Sequence, residues 1–319
     1  MQHEAAPPPN RRAIPPAARE SRWIAADGHA VRRIDWPRPD APRGSILFLP
    51  GRGDFYEKYL ETLGHWARQG FAVTAADWRG QAGSGRLGTD AVTGHVSDFS
   101  QWVDDLAAFW ADWAASAPGP RILAGHSMGG HLVLRALAER RVDPDGAILS
   151  APMLGFAGPQ LPGSLLHGVA TLMTRLGDPR RPAWKWSEKP GQPPESRAGL
   201  LTHDAERYAD ELYWREARPE LVMGPGSWGW VERAYASMRG LEKRGVLEAV
   251  KTPILMLATS NDKLVSFAAA MRAARRLPNV EPVTFGPEAH HEILREADPV
   301  RAKAIAAIDD FLTLVAPPR

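Results

Sequence analysis

The chain is 319 residues long, 44% hydrophobic and 24% charged, with 39 Lys and Arg against 37 Asp and Glu and a formal net charge of +2. These values suit one large α/β domain, or such a domain with an insertion, and argue against a disordered or nucleic-acid-binding chain. The Arg-Arg pairs at 11–12, 32–33, 140–141, 180–181 and 275–276 are scattered rather than clustered, and the absence of cysteine excludes disulfides and thiolate chemistry.

Residues 1–20 are rich in Pro, Ala and Arg without periodicity and read as a mobile arm. No apolar leader stands at the N-terminus and no window reaches the length of a membrane span, so a cytoplasmic protein is expected, with peripheral contact at the inner membrane left open. From Ser21 the pattern turns to strands. Residues 22–25, an Ala26-Asp27-Gly28 turn and residues 30–36 predict an antiparallel hairpin. The apolar run 45–49 suits a strand buried on both faces of a parallel sheet. Strands at 71–75, 122–124 and 146–150 then alternate with helical patterns at 59–67, 99–113 and 128–139. The alternation breaks at Ala151-Pro152. Residues 152–226 carry an amphipathic helix, a Pro- and Trp-rich stretch over 178–195 and a second helix from Asp204. The rhythm resumes with a helix at 230–239, strands at 253–258 and 282–285, and helices at 267–277 and 299–315. The expected fold is therefore a mostly parallel sheet with helices on both faces, built from residues 21–151 and 227–319 and interrupted by a helical insertion.

Gly125-His126-Ser127-Met128-Gly129 is a G-x-S-x-G pattern between a predicted strand and a predicted helix. That context points to a nucleophile elbow, in which a Cβ at Gly125 or Gly129 would crowd the neighbouring strand and helix. A Ser hydroxyl needs a base to take its proton, and the base needs an orienting carboxylate. Such partners sit in loops beyond the carboxyl ends of strands. After the strand at 253–258 the loop Thr259-Ser260-Asn261-Asp262-Lys263 offers Asp262, although Ser-Asn-Asp is also ordinary turn chemistry. After the strand at 282–285 the loop holds His290 and His291; His291, which precedes a short helical turn, is the expected base. Two backbone N–H groups are expected to hold the oxyanion, those of Met128 after the nucleophile and of Arg52 in Pro50-Gly51-Arg52-Gly53.

Three other patterns fail. Gly83-Ser84-Gly85-Arg86-Leu87-Gly88 does not directly follow a strand or open an apolar helix, so a dinucleotide site is not expected. Arg295 stands where a zincin requires its second His, and Gly51-Arg52-Gly53 lacks the end of a P-loop. Neither cofactor nor metal is expected.

Over residues 22–315 the chain resembles the serine hydrolases of the α/β-hydrolase superfamily, in particular their lysophospholipase and monoacylglycerol-lipase-like branch. The resemblance rests on the elbow extended by Gly130, on Leu49-Pro50-Gly51-Arg52-Gly53-Asp54, on Asp77-Trp78-Arg79-Gly80-Gln81, on Ser260-Asn261-Asp262-Lys263 and on Ala289-His290-His291-Glu292. Pro50, where many relatives have His, is the form of the bacterial subgroup, and Ala82 stands where a Gly is usual. The resemblance implies an α/β-hydrolase fold with a helical lid at 152–226. It also implies a Ser127, Asp262 and His291 triad acting on carboxylic esters, most of all lysophospholipid or monoacylglycerol-type lipids. A thioesterase, acyltransferase or peptidase with the same triad, or a hydrolase-like protein that only binds a ligand, are the alternatives. The stripe Leu165, Val169, Leu172, Met173 and Leu176 is expected either to pack on the core, to line an acyl pocket or to meet a lipid surface.

Overall fold

A computed structural model describes residues 10–158, 163–185, 187 and 197–318. Eight strands form one sheet: β1 (Arg19–Ile24), β2 (Ala30–Asp35), β3 (Gly44–Leu49), β4 (Phe71–Ala76), β5 (Arg121–His126), β6 (Gly146–Ser150), β7 (Ile254–Thr259) and β8 (Val280–Phe285). Their order across the sheet is β1-β2-β4-β3-β5-β6-β7-β8. The β1–β2 hairpin pairs antiparallel with itself and with β4, and every other pairing is parallel.

The helices are α1 (Leu60–Arg68), α2 (Phe99–Ala114), α3 (Met128–Ala138), α4 (Gly163–Arg175), α5 (Ala198–Leu201), α6 (Ala205–Ala217), α7 (Trp228–Glu242), α8 (Phe267–Ala274) and α9 (Asp298–Val315). Side chains alternate across each strand, so the central strands feed two apolar layers. Leu47, Leu49, Leu123, Met256 and Ala258 face a layer built with α2, α3, α7 and α8. Ile46, Phe48, Ile122, Leu255 and Leu257 face the layer beneath α1 and α9. This explains why these strands read as continuous apolar runs. β1 differs: it is an edge strand and mostly exposed, with Trp23 packed edge-on to Phe109.

Sheet order reverses between β3 and β5, which lie on either side of the point where crossovers change direction. A crevice opens there at the carboxyl ends of the strands, the usual ligand position in open α/β sheets.

Two stretches depart from expectation. Of the arm at 1–20, residues 1–9 lie outside the described residues, while Arg11 and Arg12 ion-pair with Asp210 and the Trp214 indole donates to the Arg11 carbonyl at 2.8 Å. Arg11 and Arg12 are thus tied to α6. The insertion also divides. Helix α4 packs on α7, whereas α6 is bound to the core through Arg207, whose guanidinium reaches Glu61 at 2.8 Å and Asp298 at 2.7 Å. Of the Pro- and Trp-rich stretch at 178–195, residues 186 and 188–195 lie outside the described residues. Short α5 had no periodic signal because four residues make barely one turn.

Candidate active site

Ser127 sits between β5 and α3 with φ +53° and ψ −116°, a conformation that non-glycine residues seldom adopt. The turn is possible because its neighbours are small. A Cβ on Gly125 would come within 2.7 Å of the Gly130 nitrogen, and one on Gly129 would strike the carbonyl oxygens of Leu49 and Pro50. The Ser127 N–H donates to Ser150 O at 2.9 Å, and its carbonyl accepts from His131 and Met153 N–H at 3.0 Å. The strained turn is therefore anchored on β6 as well as on its own helix.

The Ser127 Oγ lies 2.9 Å from His291 Nε2, and His291 Nδ1 lies 2.7 Å from Asp262 Oδ2. The other Asp262 oxygen accepts from the N–H groups of Leu264 at 2.8 Å and Val265 at 2.9 Å. Burial acts to raise the Asp262 carboxyl, but the facing His291 and these donors outweigh it and hold it below its ordinary value. Asp262 remains a carboxylate held against the Nδ1 edge of the imidazole. His290 turns elsewhere: its ring stacks on His203 at 3.8 Å between ring centroids, and its backbone N–H donates to Glu296 at 2.7 Å. The three residues singled out in sequence thus meet, and the second histidine does not join them.

Residues 50–53 follow β3 across the crevice. A Cβ on Gly51 would lie 3.0 Å from Ser127 Cβ, so this loop runs directly against the serine. Gly53 N–H donates to Gln81 Oε1 at 2.8 Å, which ties the loop to the turn after β4. Met128 opens α3, so its N–H belongs to the set that a helix leaves without an internal acceptor.

Serine and histidine open into a cavity of about 510 Å³, also lined by Arg52, Phe156, Trp184, Trp230, Tyr235 and Lys263. None of the stripe residues of α4 lines it. Leu165, Val169, Leu172 and Leu176 are exposed, while Ala170 is the buried residue of that helix. Sequence reasoning assigned Arg52 only a backbone role; its side chain entered no periodic pattern that would have flagged it. It also missed a buried cluster beside His291, in which Lys58 binds Asp54 at 2.7 Å, Glu211 at 2.9 Å and Glu292 at 2.5 Å. Among the described residues no group of three or more His, Cys, Asp or Glu could hold a metal, and no helix is long and apolar enough to cross a membrane.

The model of the family described as serine aminopeptidase, S33, matches residues 40–298. Lysophospholipase L2 of Escherichia coli K12 is 31% identical over 304 residues, covering 92% of this chain and 86% of that protein. Monoacylglycerol lipase of Mycolicibacterium smegmatis is 25% identical over 82% of this chain and 86% of its own length. In fold, a soluble variant of Saccharomyces cerevisiae monoglyceride lipase superposes with a TM-score of 0.77, at 18% identity, over 98% of this chain and 99% of that one. The chain belongs to the serine aminopeptidase S33 family, on the lysophospholipase- and monoacylglycerol-lipase-like branch of the α/β hydrolases, and is a carboxylic ester hydrolase.

Proposed function

We propose that the protein hydrolyses a lysophospholipid or monoacylglycerol-type lipid ester through an acyl-enzyme on Ser127. The observation that carries this reading is the chain of two short hydrogen bonds from Ser127 through His291 to Asp262, at the floor of an aromatic-lined cavity. Ser127 Oγ attacks the ester carbonyl while His291 Nε2 takes its proton. Asp262 keeps the imidazole in the tautomer that presents a lone pair to the serine, then stabilises the imidazolium. The backbone N–H groups of Met128 and Arg52 receive the negative charge that develops on the carbonyl oxygen. His291 next protonates the leaving alkoxide, deprotonates a water molecule and directs it at the acyl carbon. The fatty acid departs and Ser127 recovers its proton. No cofactor enters this scheme.

The relatives named for lysophospholipids and monoacylglycerols, together with the apolar lining, favour a single-chain lipid over a peptide. The segment 152–226 acts as a lid in this reading. Its α4 stripe of Leu165, Val169, Leu172 and Leu176 recurs at helical spacing and faces solvent, which suits contact with the lipid surface that delivers substrate. The protein then works in the cytoplasm, at the inner face of the membrane. Purified protein is expected to release fatty acid from oleoyl-lysophospholipids or 1-oleoylglycerol and to be labelled by a fluorophosphonate, with Ser127→Ala silent in both assays. Turnover in Ser127→Ala equal to the native rate would overturn the mechanism.

A further inference from the structure

Resting on the assignment of the oxyanion to the Met128 and Arg52 N–H groups, we propose that Gln81 is a positioning residue for the reaction. With Trp78, it holds the loop after β3 in the orientation that aims the Arg52 N–H at the developing charge. That N–H lies in the peptide plane shared by Gly51 and Arg52, and its direction is set only when the planes on either side are held. A donor that must first reorient loses much of its value in the transition state.

The turn after β4 holds both neighbouring planes. The Trp78 indole N–H donates to the Pro50 carbonyl at 2.8 Å, which fixes the plane before Gly51. The Gly53 N–H donates to Gln81 Oε1 at 2.8 Å, which fixes the plane after Arg52. The Gln81 amide nitrogen lies 3.9 Å from Met128 Sδ, so one side chain spans the loop after β3 and the first residue of α3. A thioether accepts weakly, and the main weight therefore falls on the Gly53 bond. Trp78, Gln81 and Met128 are all buried, which shields these contacts from solvent. The turn is itself braced. The Gly80 N–H donates to Ser84 O at 3.0 Å and the Ser84 N–H to Gln81 O at 2.8 Å. Ser84 Oγ accepts from the Arg32 N–H of β2 at 2.8 Å, and the Trp102 indole of α2 donates to Arg79 O at 2.9 Å. Sheet and helix hold the turn, and the turn holds the loop. Neither Trp78 nor Gln81 lines the cavity, so their loss leaves the walls that meet the substrate in place and falls on the transition state.

The test uses the full chain with p-nitrophenyl butyrate and two ketones of equal chain length. An alkyl trifluoromethyl ketone adds Ser127 Oγ to its carbonyl carbon, the serine proton passing to His291 and the carbonyl oxygen becoming an alkoxide. The matching methyl ketone binds without adding. The ratio of their inhibition constants therefore reads the oxyanion site apart from the cavity. In Gln81→Met, which keeps the length of the side chain and removes the acceptor, kcat and this ratio should both fall about tenfold, while KM stays within about twofold. Acylation and deacylation both pass through an oxyanion, so kcat reports the loss whichever step limits. Trp78→Phe should move both readings in the same direction by about threefold. Unchanged kcat and ratio in a folded Gln81→Met overturn the positioning role. A raised KM with an unchanged ratio overturns it as well, because that pattern belongs to a residue that only shapes the cavity. Should Gln81→Met not fold, an unchanged ratio in Trp78→Phe overturns it equally. Equal affinity of the native protein for the two ketones is the distinct failure of the oxyanion assignment itself, and the role of Gln81 falls with it.

Discussion

Lys58 Nζ lies 2.5 Å from the carboxylate of Glu292, the residue that follows His291, and both side chains are buried. Lys58 stands four residues beyond Asp54, so this ion pair joins the loop after β3 to the loop that carries the histidine. Glu211 of α6 completes the contact at 2.9 Å, and Arg295 pairs with both glutamates. Removing the ammonium leaves three buried carboxylates around an apolar side chain. Lys58→Met should therefore lower stability by about 3–5 kcal/mol, read from urea unfolding midpoints. Fluorophosphonate labelling should also slow, because the loops on either side of Ser127 lose their common anchor. An unchanged midpoint would show that the cluster is not the tie described.

The elbow makes a second, separable expectation. A serine with φ +53° stores on the order of 1–3 kcal/mol of backbone strain, which alanine keeps and glycine releases. Ser127→Ala and Ser127→Gly should both lose about 10⁴-fold or more in kcat. Ser127→Gly should nonetheless unfold at higher denaturant than Ser127→Ala. Equal midpoints would mean that the turn is not strained.

The two histidines should separate cleanly. His291→Ala is expected to lose about 10⁴-fold or more in kcat on p-nitrophenyl butyrate, since among the described residues no other basic nitrogen is hydrogen-bonded to Ser127 Oγ. His290→Ala removes a ring that stacks on His203, so its effect should remain within about tenfold and fall on stability more than rate. The reverse pattern would move the base to His290.

Acid sensitivity has an identifiable source in His131. Burial, aided by the charge of Arg135, pushes its imidazole down to about 3, while its Nε2 meets Ser237 Oγ at 2.7 Å. Between pH 3 and its ordinary value near 6.5 the unfolded chain holds a proton on this residue that the folded chain does not. Stability therefore rises with pH across that window and is lost as the pH falls through it, with a slope approaching 1.4 kcal/mol per pH unit, about the full value for one proton. His131→Leu should flatten the dependence of unfolding free energy on pH between 4 and 6. An undiminished slope would place the acid sensitivity elsewhere.

The stripe on α4 can be tested without touching the cavity. Leu165→Ser with Leu172→Ser removes two exposed apolar side chains from the lipid-facing surface proposed for the lid. Co-sedimentation with phosphatidylglycerol vesicles should drop several-fold, on the order expected for the apolar area lost. Hydrolysis of p-nitrophenyl butyrate in solution should persist. Undiminished sedimentation would remove the lid from the membrane contact.

Much of this protein was legible in the chain itself, for local reasons. Residues buried on both faces of a sheet must be apolar in succession, so 45–49, 146–150 and 253–258 declared themselves as central strands. A serine on a strained turn needs small neighbours, so Gly125 and Gly129 marked the elbow. Strand ends at a sheet edge also fall at readable intervals, which singled out Asp262 and the histidine pair. The tertiary structure decided what depends on direction and on distant partners. It turned His291 toward Ser127 and His290 toward His203, a choice that adjacent residues of one kind cannot express. It exposed the α4 stripe, because a helical period shows that one face is apolar and not what that face meets. It also brought Lys58, Glu211 and Glu292 together and placed the Arg52 guanidinium against two tryptophans. Such charges carry no periodic signature. They are stable only because residues far apart in the chain surround them, and that enclosure exists only in the fold.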